Sequence, residues 1–93
     1  MAQIAQIDSK WALSGDVIIS SVVQILTASE ALTIDKNTSI DFANVTDIDT
    51  SAISLILEWK RRALLENQPL KFVNIPANLT SLTQLYWVDA LIN

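Results

Sequence analysis

Asp41-Phe42-Ala43-Asn44-Val45-Thr46-Asp47-Ile48-Asp49-Thr50-Ser51-Ala52-Ile53-Ser54-Leu55-Ile56-Leu57-Glu58-Trp59 runs from a strand end, through an acidic loop, to a hydroxyl pair and an apolar helix. The strand is read over Thr38 to Phe42, with Ile40 and Phe42 on one face. Asp49, Thr50 and Ser51 stand where the helix begins. Side-chain oxygens at that position accept the free N–H groups of the first turn, and carboxylates suit the positive end of the dipole. N-capping alone accounts for the three residues. A phosphoryl group on Thr50 or Ser51 would also be favoured by the dipole, although it would sit close to Asp47 and Asp49. Both readings stand on the residues alone.

The helix is read over about Ser51 to Glu66, stopped by Asn67-Gln68-Pro69. It carries two apolar stripes, Ile53, Ile56, Leu57, Leu64 and Ala52, Leu55, Trp59, Ala63. A helix lying on one face of a sheet needs only one stripe. The second is covered by a neighbouring helix or offered to another protein, and a tryptophan suits an interface hot spot. Lys60-Arg61-Arg62 reads as a solvated helix end aided by the dipole, with contact to an acidic partner as the alternative.

Working outward, Gln3 to Ile7 alternates polar and apolar as a half-buried strand does, and Trp11-Ala12-Leu13 continues after the turn-like Asp8-Ser9-Lys10. Ser14-Gly15-Asp16 reads as a turn that completes an N-terminal hairpin. Ser20 or Ser21 caps a helix to about Leu32, and Ile34 to Asn37 is a loop. Leu70 to Ile75 is a strand that Pro76 breaks, and Asn78 caps a short helix from Leu79 to about Tyr86. The order β-β-α-β-α-β-α predicts a single α/β domain over residues 1–93. Its sheet of about four strands is at least partly parallel, and about three helices pack mainly on one face.

The composition narrows the chemistry. The 93 residues include no histidine, no cysteine and one glycine. That excludes Ser-His-Asp and Cys-His catalysis, the usual zinc sites, disulfides, and the glycine-rich loops that cradle phosphates. No metal and no cofactor are expected. Asp47 and Asp49 are the one candidate acid–base pair, and an acidic loop before a helix accounts for them without catalysis. A net charge of −4 argues against nucleic acid and anionic membrane as partners. Residues 1–20 lack the apolar run of a signal peptide, and no stretch is long enough to span a membrane, so a cytoplasmic location without direct membrane insertion is expected. The apolar fraction of 51% against 17% charged hints at surface hidden by a partner.

The segment Asp41 to Ala52 resembles the signature of STAS domains, in which a strand end leads through an apolar-Asp-Ser/Thr-x-Gly step into a Leu-rich helix. Ala12-Leu13-Ser14-Gly15-Asp16 is similar to the family's strand before its first helix, and the resemblance covers about residues 4–88. Ala52 stands where the family often has glycine, which preserves the helical start and obstructs close approach of another backbone. The family includes anti-sigma factor antagonists, domains of sulfate transporters, and a small subunit of Mla-type phospholipid-transport ABC systems. The short chain, the Asp49-Thr50 step and Leu82-Thr83-Gln84-Leu85-Tyr86 look most like the last group. The resemblance implies a non-enzymatic regulatory subunit, peripheral to the inner membrane, that binds the cytoplasmic ATPase and through it an integral-membrane permease. Thr50, Ser51, Leu55 and Trp59 would form the contact. In the anti-sigma reading, Thr50 is the candidate phosphorylation site of a partner kinase.

Overall fold

A computed structural model of the chain describes residues 2–85. The elements are β1 (Gln3–Ile7), β2 (Lys10–Val17), α1 (Val22–Ser29), β3 (Ser39–Ile48), α2 (Ser51–Leu65), β4 (Lys71–Val73) and α3 (Ala77–Leu85). One mixed sheet has the order β1-β2-β3-β4. β1 pairs antiparallel with β2, and β2–β3 and β3–β4 are parallel. The expected element order and the four-stranded mixed sheet are therefore present.

Pairing sets the faces. Trp11 lies opposite Ile40, and Ile40 opposite Phe72. Alternation along each strand puts Trp11, Leu13, Ile40, Phe42 and Phe72 on one side. They join Ile25 of α1, Ala52, Leu55, Ile56, Trp59 and Ala63 of α2, and Leu79 of α3 in one core. The helices cover this face. The other carries Lys10, Ala12, Ser39, Asp41 and Lys71, a polar surface. Its central group is Asp41, which accepts from Lys10 Nζ at 2.9 Å, Asn74 Nδ2 at 2.9 Å and the Ala43 amide at 2.9 Å. The Asn74 hydrogen bond, then Lys10 and Ala43, hold the Asp41 carboxyl down at about 2.

Several boundaries differ from the sequence expectation. Ser14-Gly15-Asp16 lies inside β2, where the register shifts between Gly15 and Asp16. Gly15 has φ 82, so its freedom serves an irregularity within the strand. The hairpin turn falls at Asp8-Ser9, within the turn-like Asp8-Ser9-Lys10 of the sequence, with Asp8 at φ 56. Val45 to Ile48 is not an acidic loop but the second half of β3, paired with Gly15, Asp16 and Val17 of β2. α1 ends at Ser29 rather than Leu32, and β4 is three residues. α3 starts at Ala77, with the Leu79 and Thr80 amides bonded to the Pro76 carbonyl, so Asn78 is inside its first turn and not its cap. Tyr86, Trp87 and the remaining tail lie outside the described residues.

α2 ends as the sequence implies, by a nameable device. Asn67 takes φ 54, the Gln68 amide bonds the Ala63 carbonyl and the Asn67 amide that of Leu64, a Schellman closure. Arg62 is not part of a solvated helix end. Its guanidinium donates to the carbonyls of Ser29, at 2.9 Å, and Leu32, and to Glu66, and it lies 5.6 Å from the Trp11 ring centre. It thereby binds the exit of α1, whose last carbonyls have no helical partner.

Replacing Arg62 by alanine is expected to cost about 2 kcal/mol, because two carbonyls lose a charged donor. Arg61→Ala, which loses only the exposed pair with Glu58, is expected to cost under about 0.5 kcal/mol. Urea denaturation of both variants checks the contrast. Asp41 contributes stability that is complete above the ordinary carboxylate value near 4 and is lost as pH falls through about 2. Asp41→Asn should therefore lower stability at pH 7 by about 1–2 kcal/mol, a gap that closes toward about pH 2 in an acid series of denaturation curves.

Candidate functional site

β3 delivers Ile48 into the core and stops. Asp49 follows, and its amide bonds the Val17 carbonyl, so the junction stays attached to the end of β2. The Asp49 carboxylate then works in two directions. Oδ1 accepts from the Ser51 amide at 2.8 Å and from the Ser51 hydroxyl, which caps α2. Oδ2 accepts from the Ile19 amide at 3.0 Å, in the segment between β2 and α1. The Ser51 hydroxyl, then the Ile19 and Ser51 amides, hold the Asp49 carboxyl below the usual carboxylate range.

The two adjacent hydroxyls are therefore unlike. Ser51 is half-buried and engaged with Asp49. Thr50 occupies the N-cap position, makes no side-chain capping bond and is exposed. It stands on the rim of an open groove whose other wall is α3, with Ile48, Asn78, Ser81, Leu82 and Leu85 along it. Ile19, whose amide bonds Asp49, is 73% exposed, and Val23, in the first turn of α1, is 70% exposed. Those two side chains did not stand out in the sequence. Their one signal was an apolar pair at a helix start that helical spacing did not require in the core.

The structure separates the four expected contact residues. Thr50 and Ser51 meet at the mouth of the site. Leu55 and Trp59 do not belong to it: they are 2% and 1% exposed. The stripe of Ala52, Leu55, Trp59 and Ala63, joined by Ile56, is the one that faces the sheet. Trp59 meets Trp11 edge to face at 5.9 Å, and its ring N–H donates to the Ser29 hydroxyl at 2.9 Å. The outward stripe is that of Leu57, midway along the helix, and Leu64, near its end.

Asp47 and Asp49 do not face one another as an acid–base pair. Asp47 Oδ1 takes the Ile48 amide at 2.8 Å, while both Asp49 oxygens are occupied as above. No three potential metal ligands converge among the described residues. No helix among them is long and apolar enough to cross a membrane. What this junction offers is an exposed hydroxyl beside a groove that Leu82 and Leu85 line, with the exposed Ile19 bonded to the neighbouring Asp49.

A family model described as "Mlab, STAS domain" matches residues 1–93. The chain belongs to the STAS domain family. Fifteen chains of solved structures are similar to it, among them the anti-sigma factor antagonist SpoIIAA in its unphosphorylated form. That structure shares 16% identity with this STAS domain at a TM-score of 0.64, over 91% of this chain and 83% of that one. At such identity the likeness is one of fold. No curated protein sequence is significantly similar to this STAS domain.

Asp49 joins two elements of the STAS domain, and its removal should show in both. Asp49→Ala is expected to cost about 1 kcal/mol in chemical denaturation through loss of the cap. It should also speed hydrogen exchange at the Ile19 amide by at least about tenfold, since an unbonded amide at an exposed loop opens freely. Exchange followed by NMR on the wild type and the variant measures this.

Proposed function

We propose that this STAS domain is a non-enzymatic regulatory subunit that docks on the cytoplasmic ATPase of a bacterial phospholipid-transport ABC transporter. The observation that carries the proposal is the exposed Thr50 hydroxyl, free of capping duty on the rim of a groove that Leu82 and Leu85 line, with the exposed Ile19 joined to the same junction through Asp49. The family-model description, with its Mla-type label, supports this choice of partner. Thr50 and Ser51 would form the mouth of the contact, and the exposed Ile19 and Leu85 would replace Leu55 and Trp59 as its apolar anchors. The subunit would meet the permease and the inner membrane only through the ATPase. Its effect would be allosteric: docking favours one ATPase conformation to the extent that it binds that conformation more tightly.

A second reading is an anti-sigma factor antagonist whose partner kinase phosphorylates Thr50. The same free hydroxyl favours it, and so does the fold shared with SpoIIAA. A phosphoryl group there gains from the helix dipole and is opposed by Asp47 and Asp49. Incubation with kinase and ATP followed by intact-mass measurement decides between the two, because only this reading adds a phosphate.

Thr50→Glu inserts a charge into a contact that must be desolvated, and is expected to weaken ATPase binding by at least about tenfold. Thr50→Ser keeps the hydroxyl and should stay within about threefold of the wild type. Calorimetry with the purified ATPase measures both, and unchanged affinity for the glutamate variant would remove Thr50 from the interface.

A further inference from the structure

The outward face of α2 has a second character, away from Thr50. Leu57, Arg61 and Leu64 follow one another at helical spacing and share one side of the helix. Leu57 is 46% exposed and Leu64 80%. Beside them a groove runs to Pro69 and Leu70, with Lys60 and Arg61 at its edge. Leu57 and Leu64 are seven and fourteen positions beyond Thr50, about 10 and 20 Å along the helix axis, and the two grooves have no lining residue in common. The two surfaces are distinct.

Charge says what this groove accepts. The groove's lining carries two cations, Lys60 and Arg61, and no carboxylate, in a chain of net −4. Lys60 Nζ lies 5.5 Å from the Phe72 ring centre, and Arg61 is held by Glu58. A second copy of the chain fits poorly. A two-fold contact would set like charges against each other, and a head-to-tail one would leave the groove open and propagate.

We propose that this groove binds an acidic amphipathic segment of a partner protein. Its apolar side chains would rest on Leu57, Leu64 and Leu70, and its carboxylates on Lys60 and Arg61. This is the helix-in-groove mode, in which apolar anchors supply affinity and flanking charge supplies selectivity.

The test uses the full chain, isotope-labelled, and two synthetic peptides of about 15 residues with leucine at helical spacing. One peptide carries glutamate at the remaining positions and the other lysine. The acidic peptide should bind at least about tenfold more tightly, lose affinity with added salt, and shift NMR signals of Leu57 and Leu64 while leaving Thr50 unmoved. The double variant Lys60→Glu, Arg61→Glu should abolish that preference, and Leu64→Ser should weaken binding by about fivefold or more. Leu64 and Arg61 are exposed, and thermal melts confirm that the variants fold. Equal binding of the two peptides, or indifference to the double variant, overturns the proposal. So does a dimer in sedimentation that Leu64→Ser dissolves, which would assign the groove to a second copy. Binding to anionic phospholipid vesicles through the same residues, with none to the acidic peptide, would assign it to a membrane. Thr50→Glu should leave peptide binding unchanged, so the two surfaces fail or stand separately.

Discussion

The Trp11 and Trp59 indoles meet edge to face, and each brings a ring N–H into a region that excludes water. A buried donor without a partner costs about 1–3 kcal/mol, so the surrounding chain is constrained to answer both. Trp59 is answered by the Ser29 hydroxyl, which in turn donates to the Leu26 carbonyl at 2.7 Å. Trp11 is answered by the Thr33 carbonyl at 3.1 Å. Both acceptors lie at or just beyond the end of α1. Arg62 completes the arrangement by taking the Ser29 and Leu32 carbonyls and covering Trp11. An eight-residue helix with little stability of its own is thus held at its exit by the core. With that end fixed, Ser21 at the entrance receives the Ile18 amide and donates to the Asp16 carbonyl, and Asp49 fixes Ile19.

Much of this fold is legible in the residues, because hydrophobic period and helix-stop signals are local. The order of elements and the limits of α2 follow from them. The second half of β3 was hidden for a physical reason. Asn44, Thr46 and Asp47 face solvent, so the stretch reads as polar, and its backbone is satisfied by pairing with a strand distant in sequence. Gly15 was legible as a residue that needs positive φ but not as one within a strand, since turns and bulges ask the same of the backbone. Arg62 looks like its neighbours in a basic run. Only the third dimension distinguishes an arginine that folds back on carbonyls from one in water.

Burial divides the four expected contact residues, since Thr50 is exposed and Leu55 and Trp59 are in the core. A carboxylate and two hydroxyls before an apolar helix announce a helix start, and the STAS signature places it. Periodicity shows that α2 has two apolar stripes, yet it does not say which one faces inward. Trp59 looked like an anchor for a partner and is instead an anchor for α1. Nor does sequence say which hydroxyl is committed. Ser51 is, and Thr50 is not, because Asp49 Oδ1 reaches the residue two positions on. Steric reach over two residues is a property of the turn, not of composition.

The sheet pairs its strands in chain order, and this shapes how the molecule comes into being. The β1–β2 hairpin closes over two residues and can form within about 10 microseconds. Each later strand must wait for a helix to cross over before it finds its neighbour. The contact between Ser29 and Trp59 spans 30 positions and needs α1, β3 and α2 together. Closing a loop of that length costs entropy before any burial rewards it, so this contact belongs to the slow part of folding. A ribosome that releases β1 and β2 first presents the strands in the order in which the sheet can use them. Until α2 emerges, however, the Trp11 face of the hairpin has nothing to cover it.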